Sequence, residues 1–180
     1  MRLPIPVLLS LLGLWTISAF ATEGLYRTIQ DEEILHAARA IIAADPDAAL
    51  VTIDDNGQPR IRTVTTSTPE SDMTIWVATK PNTRKVAQLR NNPKVALYFN
   101  NDAAFSYVSI MGTATLHDDI ETKTAKNFYP KDELQKHWPN YPNDYLLIRI
   151  TPTWIEVEGH GVTGHKDTWQ PQGLELKANL

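Results

Sequence analysis

Short strand-like segments joined by hairpin-length turns constrain the fold of this chain most strongly. Apolar and polar residues alternate through 48–53 and 60–66, and Asn56-Gly57 between them suits a tight turn with positive φ. Further strand-like segments are 74–79, 95–99, 105–116, 145–150 and 154–158, the last two separated by a kink at Pro152. Because parallel strands need long crossovers, such short connections favour antiparallel pairing. The pattern therefore predicts a mainly β protein, an antiparallel barrel with flanking helices.

Helices are predicted at four places around these strands. Thr28 is a suitable N-cap for a helix through about Ala44, which carries an apolar stripe along one side. A short helix starts at Thr83 and ends near residues 91–93, and two more cover 119–128 and 131–138. We expect Gly112, inside a long strand, to mark a bend or bulge of the kind that turns a barrel corner.

The N-terminus has the pattern of a secretory signal peptide. Arg2 precedes an apolar run from Ile5 to Phe20, which is shorter than the roughly 20 uninterrupted apolar residues of a spanning helix. Residues 19–21 (AFA) match the small-x-small pattern of signal peptidase, so we predict cleavage after Ala21 and a periplasmic or secreted protein without membrane attachment. The alternative is an uncleaved membrane anchor, which the lack of a basic cluster after the run disfavours.

Length, charge and cysteine content indicate one domain stabilised by packing. After removal of the signal, 159 of the 180 residues remain, with no Cys. We expect an N-terminal helix in 22–47 that packs on the barrel, the barrel domain in 48–158, and a loose C-terminal tail in 159–180. The net charge is −4, or −5 without Arg2, which argues against a nucleic-acid partner.

Basic residues and threonines concentrate between residues 60 and 90. Thr83 at a helix start offers a hydroxyl and backbone N–H groups to an anion, and Arg84 and Lys85 follow in the first turn. Cations there oppose the helix dipole unless an anion offsets them. The stretch predicts a phosphate site, with a solvated basic face as the alternative. Its basic residues are Arg60, Arg62, Lys80, Arg84, Lys85 and Arg90.

Segments of this stretch resemble the FMN-binding half of pyridoxamine 5'-phosphate oxidase and its relatives. The similar segments are 62–65 (RTVT), 75–79 (IWVAT) and 83–97 (TRKVAQLRNNPKVAL), and 107–112 (YVSIMG) resembles the next strand of that family. The resemblance covers roughly residues 48–116. It implies an antiparallel split β-barrel, FMN as the cofactor, and a homodimer that holds the cofactor at the subunit interface.

The resemblance also implies which residues hold the cofactor. Arg62, Arg84 and Lys85 would bind the flavin phosphate. Tyr107 stands where these oxidases carry a glutamine that contacts the cofactor. The residues that would line the ribityl chain and the ring are Thr63, Val64, Thr65, Ala78 and Thr79. No residue is assigned as a catalytic acid or base.

The C-terminal part departs from the family pattern. The oxidases carry a tryptophan on the last strand and an Arg-x-His-x-Arg-like substrate motif, where this chain has Glu158 and residues 165–167 (HKD). We therefore do not expect an authentic pyridoxamine 5'-phosphate oxidase, and the resemblance is stronger to the short general-stress-protein type. His160 and His165 lack a third ligand, so no metal site is predicted.

Two functions are compatible with these residues. The first is an exported FMN-dependent oxidoreductase that acts on an unidentified small molecule. The second is a non-catalytic binding or carrier protein for flavin, haem or a deazaflavin, the other ligands that relatives with this barrel hold.

Overall fold

The computed structural model describes residues 28–101 and 105–176. The predicted signal peptide and its cleavage site lie outside these residues. Within them, none of the helices has the length and apolar character needed to cross a membrane.

Helices and strands of the described chain follow the order expected from the sequence. Thr28 caps the first helix through a reciprocal pair of hydrogen bonds with Asp31, as its place before an apolar stripe predicts. The elements are α1 Ile29–Ala44, β1 Asp47–Ile53, β2 Pro59–Thr65, β3 Ile75–Thr79, α2 Arg84–Asn91, β4 Lys94–Asn101, β5 Ser106–His117, α3 Ile120–Lys126, α4 Lys131–His137, β6 Leu146–Glu158 and β7 Gln172–Glu175.

The strands form one antiparallel sheet in the order β2-β1-β4-β5-β6-β3. The sheet curls until Thr66, just after β2, forms a single bridge with Val77 of β3. One bridge is not a ladder, so the barrel remains open between β2 and β3. The predicted split antiparallel barrel is confirmed.

The longest ladder, between β5 and β6, contains the predicted bulge. Met111 pairs with Trp154 and Gly112 pairs with Pro152, which leaves Thr153 as the extra residue on β6. A Cβ at Gly112 would lie 2.3 Å from the carbonyl oxygen of Thr151, so glycine is required there. The bulge accommodates the proline, which has no N–H to donate, without ending the strand. The predicted separation of two strands at Pro152 was therefore wrong.

The segment after Glu158 is more ordered than the predicted loose tail. Residues 172–175 form β7, which pairs with 154–157 of β6. The N–H of Gly164 donates to the carboxylate of Glu158 at 2.7 Å, which holds the intervening loop against β6. The expectation of a loose tail was wrong for these residues, because β7 is stabilised by its pairing with β6 and its own sequence pattern does not indicate a strand.

The core lies between the concave face of the sheet and α1. The apolar stripe of α1 is buried there, as predicted, and packs on β4, β5 and β6. A second, aromatic cluster fills the space between α3, α4 and the β3–β6 pair. Its buried members are Trp76, Trp138, Tyr145 and Leu147, with Phe128, Tyr129, Leu134 and Tyr141 around them.

Candidate functional site

The opening of the barrel brings together β2, the end of β3 and the start of α2. Continuing the register of the Thr66–Val77 bridge would pair Val64 with Thr79, but the described strands form no ladder there. The edges of β2 and β3 therefore face each other across a gap. Arg84, at the start of α2, follows Thr79 by only five residues, so the helix begins at this gap.

Arg62 is held on the inner side of β2, beneath α2. Its Nη1 donates to the hydroxyl of Thr52 at 2.6 Å and to the carbonyl of Leu50 at 3.2 Å. Its Nη2 donates to Oε1 of Gln88 at 3.1 Å, and the Thr52 hydroxyl donates to the same oxygen at 2.6 Å. All of these acceptors are neutral, so they fix the guanidinium in place without compensating its charge.

Lys85 points back from α2 to the end of β3. Its Nζ donates to the hydroxyl of Thr79 at 2.9 Å, and that hydroxyl lies 3.3 Å from the hydroxyl of Thr83. Thr83 also donates to the carbonyl of Lys80 and makes no side-chain capping bond to the helix. The prediction that the helix starts at Thr83 is confirmed, but the Thr83 hydroxyl does not accept a hydrogen bond from a helix N–H group as a standard N-cap would. The first N–H groups of α2 are thus left without a side-chain acceptor.

Arg62 and Lys85 each lie close to another cation of this gap. Burial, and then the charge of Arg84, lowers the pKa of the Arg62 guanidinium. Burial, and then the charge of Arg62, lowers the pKa of the Lys85 ammonium. Across residues 28–101 and 105–176, no carboxylate forms an ion pair with any of the three. Like charges held this close without a counter-ion provide a binding place for an anion.

The remaining predicted residues of β2 and β3 extend from this basic cluster, which we define as Arg62, Arg84 and Lys85. Thr63 and Thr65 lie on the outer face of β2, opposite Ala49 and Asp47 of β1. Val64 packs on the core and Ala78 on the aromatic cluster. The structure therefore brings Thr79 directly to the basic cluster, while 63–65 lead away from it along an open strand edge.

Tyr107 lies elsewhere in the protomer. It is on the outer face of β5, which is separated from β2 by the two strands β1 and β4, and its ring is 5.6 Å from that of Tyr98. Burial, and then the carboxylates of Glu158 and Glu156, raises the pKa of its hydroxyl. Within one chain Tyr107 is not part of the basic cluster.

The outer face of the sheet carries an apolar row that runs across five strands. Ile61 is 70% exposed and Trp154 is 38% exposed at its two ends, and Tyr98 beside the row is 41% exposed. Such a contiguous apolar surface is typical of an interaction face. The register of the strands places in this row Ile61, Val51, Ala96, Met111 and Trp154.

A groove of about 470 Å³ begins where β2 ends. Its walls come from the end of α1, residues 65–69 and the connection between α3 and α4. The sequence did not predict this groove, because its walls come from three separate segments and not from a single motif. The residues that line it are Ile42, Ala43, Pro46, Thr65, Thr66, Ser67, Thr68, Pro69, Phe128, Tyr129 and Pro130.

Gln88 and Thr52, which hold Arg62, were also missed. Both are buried polar residues, and such residues indicate a hydrogen-bond partner without naming it. In the part of the chain that the structure describes, no three His, Asp or Glu side chains come together as a metal site.

Comparisons with known proteins identify the family of the chain. A family model described as pyridoxamine 5'-phosphate oxidase matches residues 10–158. A curated pyridoxine/pyridoxamine 5'-phosphate oxidase of Edwardsiella ictaluri is 31% identical over 107 residues, which are 59% of this chain and 49% of that protein. The chain thus spans about half the length of this curated relative.

Solved structures share the fold. A Clostridium acetobutylicum protein related to general stress protein 26 has a TM-score of 0.67 at 20% identity, covering 81% of this chain and 96% of that one. An FMN-binding protein of Nostoc punctiforme has a TM-score of 0.56 at 14% identity, covering 81% and 94%. A haem-binding protein of Mycobacterium smegmatis has a TM-score of 0.59 at 17% identity, covering 84% and 60%. At these identities the likeness establishes the fold.

Proposed function

Because the chain belongs to the pyridoxamine 5'-phosphate oxidase family, we propose that it binds FMN and that Arg62, Arg84 and Lys85 hold the phosphate. One observation carries the proposal: these three cations meet at an uncapped helix start, and no described carboxylate pairs with them. A phosphate dianion relieves their mutual repulsion and accepts hydrogen bonds from side chains and from the helix N–H groups.

The open edge of β2 suits the rest of the cofactor. From Arg62 to Thr65 the strand extends about 10 Å, at about 3.3 Å per residue. This is comparable to the length of a five-carbon ribityl chain with its phosphate ester. The segment 63–65, together with Ala78 and Thr79, would line the ribityl chain and the flavin ring.

The proposed activity is flavin-dependent oxidation or reduction of a small molecule. FMN supplies hydride or electron transfer when it is bound, and the chain supplies binding and orientation. Arg62 is fixed by Leu50, Thr52 and Gln88, so the phosphate anchor is organised before the cofactor arrives. We also propose that the protein works outside the cytoplasm, on the basis of the signal-peptide pattern of residues 1–21.

The proposal includes a homodimer formed through the outer face of the sheet. The apolar row from Ile61 to Trp154 supports it, since burial of that surface against a second copy is favourable. Tyr107 shares this outer face and is remote from its own basic cluster. In the dimer, the partner subunit's Tyr107 would therefore approach the end of β2 and complete the cofactor site.

FMN titration of purified protein, followed by flavin fluorescence, tests the phosphate assignment. Replacing both Arg84 and Lys85 by Ala is expected to weaken binding at least 100-fold, since each charged hydrogen bond contributes about 1.5–3 kcal/mol. Arg90→Ala is the matched control, because Arg90 lies in the last turn of the same helix and outside the basic cluster. Unchanged affinity in the double variant, or an equal loss in the control, would reject the assignment.

A non-catalytic carrier is the second candidate function. The fold shared with the haem-binding M. smegmatis protein supports including haem among its ligands, beside flavin and deazaflavin. The absorption spectrum of the co-purified ligand separates these cases, since flavin, deazaflavin and haem absorb differently. To test for turnover, the bound flavin is reduced chemically and its rate of reoxidation by an added acceptor is compared with that of free FMN. A rate no higher than that of free FMN supports the carrier.

A further inference from the structure

The groove continues directly from the strand edge proposed for FMN. Thr65 is the last residue of β2 and also lines the groove, and the next four residues form one of its walls. A molecule in the groove would therefore lie beside the cofactor. The volume of about 470 Å³ falls within the range of small-molecule sites.

The walls of the groove are fixed by hydrogen bonds. Thr66 donates its N–H and its hydroxyl to the carbonyl of Pro46, each at 3.0 Å. The guanidinium of Arg39 donates to the carbonyls of Pro69, Glu70 and Ser71 at 2.7–3.0 Å, which ties the loop wall to α1. A site whose walls are held in this way is formed before a ligand binds.

The opposite wall is aromatic. The ring of Tyr129 lies 4.6 Å from that of Phe128 and 4.9 Å from that of Trp138, so it is held by the aromatic cluster. Prolines at positions 46, 69 and 130 add further rigid apolar surface. Flat apolar and aromatic walls of this kind favour a flat organic molecule.

The charges around the groove are unfavourable for anions. None of its lining residues carries a charge at neutral pH. The carboxylate of Asp47 accepts a hydrogen bond from Thr65 at 2.7 Å. Burial raises the pKa of the Tyr129 hydroxyl, and the carboxylates of Asp47 and Glu133 add to this effect against an opposing contribution from Thr65. The nearby Arg39 is engaged by three carbonyl groups, and a phosphate here would lose hydration without meeting a cation among the lining residues.

From these observations we propose that the groove is the substrate site and that it accepts flat aromatic molecules without an anionic group, such as quinones. The inference rests on the proposed FMN function for its role in turnover. It assigns opposite chemistry to the two ends of the site: the basic cluster binds the phosphate of the cofactor, and the groove excludes a second anion. The substrate would accordingly differ from a phosphorylated vitamin B6 compound.

Binding of 1,4-naphthoquinone and of its 2-sulfonate, which share a ring system and differ in charge, tests the inference. Both are titrated by calorimetry into protein with and without FMN; the chain has no Cys to which a quinone could add. We expect the neutral quinone to bind at least tenfold more tightly than the sulfonate. Thr68→Lys, an exposed lining position, is expected to reduce this difference by at least fivefold.

A blocking variant and its neighbour provide the matched control. Ala43→Trp fills the groove and is expected to abolish quinone binding, whereas Ala44→Trp, on the next exposed residue outside the lining, is expected to leave it intact. FMN affinity is measured in parallel and should be the same in both. Equal binding of the two quinones, no binding of either, or quinone binding that survives Ala43→Trp would overturn the inference. If the unaltered protein selected the neutral quinone but did not bind FMN, the result would instead count against the proposed function.

Discussion

Replacing Gln88 by Glu introduces a carboxylate 3.1 Å from the guanidinium of Arg62 while preserving the shape of the side chain. For two unit charges whose centres are about 4 Å apart, an effective dielectric constant near 20 gives an attraction of about 4 kcal/mol. Gln88 is only 8% exposed, so loss of hydration opposes much of this gain. We expect a net rise of about 1 kcal/mol in the free energy of unfolding of the cofactor-free protein. The same charge repels phosphate, so FMN is expected to bind 10- to 100-fold more weakly.

Urea unfolding of the variant and the unaltered chain measures the change in the free energy of unfolding, and FMN titration of the same preparations measures the change in affinity. The pKa of the new carboxyl would be depressed beside Arg62, so its stabilisation is present at neutral pH and is lost as the pH falls below the ordinary Glu pKa of about 4.3. Gln135→Glu, on the exposed surface of α4, makes the same chemical change away from the basic cluster and should alter neither quantity by much. If Gln88→Glu stabilised the protein and bound FMN as well as the unaltered chain, Arg62 would not contact the phosphate.

Two further predictions concern the dimer and alkaline pH. Ile61→Lys puts a charge on the most exposed residue of the apolar row, and we expect this variant to be monomeric in analytical ultracentrifugation while the unaltered chain forms the proposed dimer. A monomeric unaltered chain would contradict the proposed interface. Burial raises the pKa of Tyr145, so stability is fully present below the ordinary Tyr pKa of about 10 and falls as the pH rises above it. Tyr145→Phe should flatten this loss between about pH 10 and 11.5 in urea unfolding, and an unchanged slope there would refute the assignment.

Local patterns predicted the parts of the fold whose causes are local. The cap and apolar stripe of α1, and the Asn56-Gly57 turn between β1 and β2, depend on residues a few positions apart. The continuity of β6 through Pro152 depends on a bulge opposite Gly112, which lies 40 residues earlier in the sequence. β7 likewise forms because β6 offers it an edge, and its own sequence has no alternation to indicate this.

The site shows the same division. The basic residues and the start of α2 could be identified because they lie in one stretch of sequence that also resembles a family. The hydrogen bonds that hold Arg62 involve Thr52 and Gln88, which are 36 residues apart and meet only when α2 packs against β1. The groove combines three separated segments, so its uncharged lining could not be predicted before the chain was folded.

The division of β6 between two neighbours has a consequence for shortened versions of this protein. Residues 146–150 pair with β3, and 154–157 pair with β7. A chain cut after Glu158, where the family match ends, would leave the second of these segments as a bare strand edge beside Trp154. Bare apolar edges recruit strands from other molecules. β7 thus covers an edge that would otherwise favour aggregation, and expression of the family-matched portion alone would remove β7.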